Sequence, residues 1–67
     1  MRLELKVFRT EQQLTQSDMA HITGVSVSTY HLIEKGDRRG SQEFWERLQN
    51  EFELEDGKVW NLQKNII

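Results

Sequence analysis

The stretch Leu14-Thr15-Gln16-Ser17-Asp18-Met19-Ala20-His21-Ile22-Thr23-Gly24-Val25-Ser26-Val27-Ser28-Thr29-Tyr30-His31-Leu32-Ile33-Glu34-Lys35-Gly36 decides the fold of this 67-residue chain. It reads as two short amphipathic helices joined at a glycine. Thr15 offers a capping hydroxyl, and Asp18 three positions on closes a capping box, so a helix is predicted over residues 16–22. Met19 and Ile22 repeat at i, i+3 toward a core, and Ala20 is small where two helices must approach closely. Gly24 supplies the left-handed conformation that stops this helix and sharpens the turn. Ser26 caps the next helix, predicted over residues 27–35. Tyr30 and Ile33 are spaced to face inward, with Val25 anchoring the turn. Gly36 lies just past the helix end, and Lys35 places a cation in the last turn, where it suits the helix dipole.

Outward from this unit the chain also carries helical signals. In residues 1–13, Leu5 and Phe8 repeat at i, i+3, while Leu3, Leu5 and Val7 alternate as a short strand would, so the period alone leaves both open. Asp37-Arg38-Arg39-Gly40 is a polar loop. Ser41 is placed to cap a helix with Phe44, Trp45, Leu48 and Phe52 on one stripe, and Glu53-Leu54-Glu55 exits it. Asp56 is a candidate cap for a last helix carrying Val59, Trp60, Leu62 and Ile66. Trp45 and Trp60 both fall on apolar stripes and are read as core or helix-packing residues.

The length fits one small domain, residues 1–67, near the lower size at which a core suffices alone. With no cysteine there is no disulfide framework and no thiolate metal site. No leader-like segment or long apolar run is present, so a soluble cytoplasmic protein without membrane association is expected. His21 and His31 have no third ligand at metal spacing. No nucleophile triad, glycine-rich phosphate loop or paired catalytic carboxylates can be recognised, so no enzyme, cofactor or small-molecule substrate is expected. The formal net charge is −2. It is uneven: residues 1–40 carry six basic and five acidic side chains, and residues 41–67 carry three basic and six acidic. At 100° per residue, Ser26, Thr29, Tyr30 and Ile33 group toward the core, which leaves Val27, Ser28, His31 and Leu32 as the projecting face of the second helix.

Leu14-Thr15-Gln16, Met19-Ala20, Gly24-Val25-Ser26, the Tyr30…Ile33-Glu34…Gly36 ending and the upstream Arg9 together resemble the Xre-type, lambda-repressor/Cro-like helix-turn-helix family, over about Leu5 to Leu54. The resemblance favours helix at the amino terminus and implies an all-α fold, a compact bundle of about five short helices. It also implies a function. In this family the second helix of the unit reads bases in a DNA major groove. Positions matching Val27, Ser28 and Leu32 are usually glutamine, arginine or asparagine in relatives. Here Ser28 and His31 can hydrogen-bond to bases, and Val27 and Leu32 can touch thymine methyl groups. Gln16 matches the position that clamps a phosphate at a helix start. Thr15, Ser17, Thr29, Lys35, Arg38 and Arg39 are further candidate phosphate contacts, although Arg38 and Arg39 read equally well as solvated loop charges. Arg9 matches the arginine that pairs with the glutamate ending the recognition helix, here Glu34. A proline that commonly precedes the fourth helix is replaced by Gly40, so a more mobile Asp37–Gly40 loop is expected. The reading is a sequence-specific transcription regulator, of the phage or mobile-element repressor kind, binding a palindromic double-stranded operator as a homodimer. The alternative is a protein-binding modulator or antirepressor that uses the aliphatic face, or the acidic carboxy-terminal half, to bind a repressor protein.

Overall fold

A computed structural model describes residues 1–65 and holds five helices: α1 (Leu3–Glu11), α2 (Gln16–Thr23), α3 (Val27–Lys35), α4 (Gln42–Phe52) and α5 (Asp56–Gln63). No strand occurs among the described residues, and the bundle is nearly isometric at 26 × 25 × 23 Å. The local signals act as their chemistry requires. At the start of α2 the Thr15 hydroxyl accepts from the Asp18 amide at 3.0 Å, while the Asp18 carboxylate accepts from the Thr15 amide at 2.9 Å. The bond from the Thr15 amide, followed by the nearby Thr15 hydroxyl, holds the Asp18 carboxyl below its ordinary range. Gly24 takes φ 75° and ψ 26°, ending α2 one residue later than expected, at Thr23. Ser26 and Ser41 cap α3 and α4 by accepting from Thr29 and Phe44 amides at 3.1 Å each.

The alternating Leu3, Leu5 and Val7 lie on a helix, with Leu5 and Phe8 buried and Leu3 and Val7 exposed. The core joins Leu5, Phe8, Met19, Ala20, Tyr30, Ile33, Phe44, Trp45, Leu48, Val59 and Leu62. Phe52 of α4 stands edge-on to Phe8 of α1, with ring centroids 5.0 Å apart. α2 packs against both α3 and α4, and α1 packs against α3 and α5. α3 is thus gripped along its inner side while its outer side is left clear.

Four expectations need correction. Trp60 is 72% exposed, because the short α5 buries only the i, i+3 pair Val59 and Leu62 and turns its neighbour outward. Asp56 is the first residue of α5 rather than its cap: Glu55 holds that position, and the Asp56 carboxylate instead accepts from Gln49 Nε2 at 2.8 Å. Ser26 does not face the core and Thr29 is only half-buried, since the Ser26 hydroxyl turns back to the Thr29 amide. The Asp37–Gly40 loop, expected to be loose, is tied down from beneath. Arg2 Nη1 donates to the Ile33 carbonyl at 2.6 Å and to that of Arg38 at 2.7 Å; Nη2 reaches the Arg39 carbonyl at 3.3 Å. Trp45 Nε1 donates to the same Arg39 carbonyl at 3.2 Å. Ile66, read as part of the last apolar stripe, lies outside the described residues.

Candidate nucleic-acid interface

Val27, Ser28 and His31 are exposed on the outer side of α3, and Leu32 is half-buried at its edge. These four residues and Gln16, in the first turn of α2, line one shallow surface groove of about 400 Å³. The unit's geometry explains the meeting. Gly24 reverses the chain so that the start of α2 lies alongside the middle of α3, and Gln16 borders His31 and Leu32 rather than a core position. A Cβ on Gly24 would stand 3.0 Å from Nη1 of the flexible Arg47 side chain of α4, a contact that a small shift relieves, so it is the positive φ that calls for glycine here.

Gln16 is half-buried, and its Nε2 donates to Glu34 Oε1 at 3.3 Å. The same carboxylate accepts two bonds from Arg9, Nε to Oε2 at 2.9 Å and Nη2 to Oε1 at 3.1 Å, while Arg9 Nη1 donates to the Leu14 carbonyl at 2.9 Å. Glu34 is only 3% exposed. Burial by itself would raise its pKa, but the hydrogen bonds from Arg9, the Tyr30 hydroxyl lying close by and the Gln16 amide outweigh that effect and hold the carboxyl below its ordinary value. The Tyr30 hydroxyl lies fully buried beside this cluster without reaching good hydrogen-bond geometry, and burial followed by the adjacent carboxylate pushes its pKa strongly upward. Arg9 and Glu34 therefore join α1 to the last turn of α3 and bring α2 in through Gln16. The Gln16 side chain is anchored inward, so what α2 offers at the surface is its first turn of backbone N–H groups together with the remaining amide face.

The other candidate phosphate contacts fall in three places. Thr15 and Ser17 are exposed around the start of α2. Thr29, Arg38 and Arg39 share a surface recess of about 320 Å³ with Val25, Ile33, Gly40 and Ser41, alongside α3. Arg38 and Arg39 are exposed there, their carbonyls turned in to Arg2. Lys35 is exposed past the other end of the reading face and pairs with Asp37 at 3.3 Å, a solvent-screened contact of little energetic weight. Lys6, Gln16, His31 and Lys35 border a third recess on that side. Cations and donors thus flank the α3 face on both sides. No cluster of metal-ligating side chains exists among the described residues, and no described helix is long and apolar enough to cross a membrane.

Arg2 is the side chain that sequence reading passed over. Its partners are carbonyls far away in the chain, and an arginine next to the amino terminus carries no pattern that distinguishes it from a solvated charge. The surface of α3, bordered by a helix start and by loop cations, is the arrangement of a helix-turn-helix DNA-binding module. The sequence profile of the helix-turn-helix domain family matches residues 1–57, and the chain belongs to that family, a general DNA-binding class. No curated protein and no solved structure matches the chain.

Proposed function

We propose that the chain is a sequence-specific DNA-binding transcription regulator of the small repressor kind, which lays α3 in a major groove and binds a palindromic operator as a homodimer. One observation carries the reading: Val27, Ser28 and His31 form an exposed face of α3 flanked by the first turn of α2 on one side and by Arg38 and Arg39 on the other. In that pose Ser28 and His31 meet base edges, Val27 and Leu32 meet thymine methyl groups, and the start of α2 and the loop cations meet the backbone on either side. Direct readout by two short polar side chains is sparse. Pairing two subunits on two half-sites is the physical means of raising both affinity and specificity. The acidic residues concentrated in positions 41–67 lie outside the groups proposed to face DNA.

The test is selection of duplexes from a random-sequence pool, followed by salt titration of binding to the selected duplex. Each neutralised phosphate contributes about −0.9 to the slope of log affinity against log salt, so Lys35, Arg38 and Arg39 together supply about −2.7 per subunit. Replacing Ser28 and His31 by alanine is expected to relax sequence preference while leaving that slope unchanged. Failure to select any duplex at low salt refutes the proposal. A second reading, a modulator that docks this face on a repressor protein, draws on Val27, which is 47% exposed beside Leu32. Salt-insensitive binding to a helix-turn-helix repressor, with no duplex selected, is the result that favours it.

A further inference from the structure

Arg2 is 6% exposed, yet it carries a full charge, and burial lowers its pKa from the ordinary value. Its guanidinium sits beneath the carboxy-terminal end of α3, where carbonyls of the last turn lack helical partners and the helix dipole favours a cation. Besides Ile33, Arg38 and Arg39, it donates from Nε to the Gln63 carbonyl at 3.2 Å, and it lies over the Trp45 ring at 5.7 Å. The Arg2 amide adds a bond to the Glu34 carbonyl at 2.9 Å. One planar, forked cation therefore gathers the end of α3, two successive loop carbonyls and the end of α5. A lysine, with a single compact ammonium, cannot reproduce that spread.

The direction of the loop bonds matters. Because the carbonyls of Arg38 and Arg39 point inward to Arg2, their side chains are left exposed in the recess beside Thr29. We propose that Arg2 is a positioning residue for DNA binding, holding the Asp37–Gly40 loop so that Arg38 and Arg39 are presented to the phosphate backbone. This rests on the DNA-binding reading above and extends it to a residue that touches no DNA. Holding the loop in advance removes the ordering cost that a free loop would incur on binding.

The test uses the full chain and a duplex selected by it. Arg2→Met and Arg2→Lys are each made alone and in an Arg38→Ala/Arg39→Ala background, with helical content checked by circular dichroism. Arg2→Met is expected to weaken duplex binding about tenfold in the otherwise native chain and less than about twofold in the double-alanine background, since the groups it positions are already gone. Arg2→Lys gives a smaller loss with the same non-additivity, which keeps the test usable if Arg2→Met fails to fold. Amide exchange of Asp37 and Arg38, whose N–H groups donate to the Leu32 carbonyl, is expected to accelerate selectively in Arg2→Lys, by about tenfold or more, relative to Phe44 and Leu48. Equal losses in both backgrounds, the result a purely structural role gives, overturn the inference alone, as does unchanged loop exchange. Absence of duplex binding by the native chain overturns the DNA-binding reading and this inference with it.

Discussion

Replacing Arg9 by methionine isolates the main electrostatic joint of the fold. Methionine matches the stem of arginine and removes the fork, so the Glu34 carboxylate, 3% exposed, is left with Gln16 Nε2 at 3.3 Å as its remaining side-chain hydrogen bond of good geometry. Orphaning a buried charge costs about 3–5 kcal/mol; the low end, about 3 kcal/mol, applies because the Arg9 side chain is 13% exposed and water can reach the edge of the site. A chain of this length has a total stability of about 3–10 kcal/mol, so this one change removes a large fraction of it. In urea, with an m-value of about 1 kcal/mol/M for so small a domain, the midpoint falls by about 2–3 M. Glu34→Met is milder, about 2 kcal/mol, because the stranded guanidinium keeps the Leu14 carbonyl and is nearer to water. The combined Arg9→Met/Glu34→Met variant is expected to lose no more than the worse single change, since replacing a buried pair by apolar groups is often close to neutral. That gives a coupling of about 2 kcal/mol or more, read from urea melts followed by circular dichroism at low temperature. Additive losses, or an Arg9→Met melt within about 0.5 kcal/mol of the native chain, refute the reasoning.

The same carboxylate sets the acid limit. Its folded pKa is lowered from an ordinary value of 4.5, so its contribution is complete above that value and is lost as the pH falls below it through the folded pKa; Glu34→Gln is expected to flatten this part of the stability profile in acid urea melts. Gly24→Ala forces a side chain into φ 75° and against Arg47 at 3.0 Å, and is expected to destabilise by about 1–2 kcal/mol, with adding Arg47→Ala recovering only the steric part in the same melts. Trp60→Ser is expected to change stability by under about 0.5 kcal/mol, whereas Trp45→Ala costs about 3–5 kcal/mol; equal effects in thermal melts contradict the exposure of Trp60.

What the sequence made legible is what short-range chemistry determines. The Thr15, Ser26 and Ser41 caps act on amides three residues away, and Gly24 and Gly36 act through their own φ, so each signal sits next to its effect. The limits of α3 follow from two such signals and match the expected residues 27–35. Periodicity served less well on the shortest helices. The eight residues of α5 make little more than two turns, and one step of 100° separates a buried Val59 from an exposed Trp60. Ser26 was misplaced for a related reason, since a wheel treats a cap as part of the helix although its side chain bends back to the backbone. Arg2 left no trace in the sequence: its hydrogen-bond partners are carbonyls at positions 33, 38, 39 and 63, which any residue supplies, and its one aromatic neighbour, Trp45, already reads as a core residue.

The buried polar groups address something the apolar core cannot. α3 has nine residues and buries two apolar side chains, Tyr30 and Ile33. Apolar burial is non-directional, so those two anchors hold the helix against the bundle while leaving its roll and its height along the axis weakly specified. Directional bonds remove both freedoms. The Glu34 carboxylate, held by the Arg9 fork and by Gln16, fixes the roll of the last turn relative to α1 and α2, because the paired donors accept one carboxylate orientation. Arg2, reaching the Ile33 carbonyl and the loop beyond, fixes the height of the same turn and the path of the chain leaving it. Both devices act at the carboxy-terminal end of α3, leaving its amino-terminal half, with Val27 and Ser28, aimed outward from a fixed base. A helix whose outer residues must meet a partner in one register gains more from such bonds than from additional apolar area, and here the buried Arg2 and the half-buried Arg9 supply them.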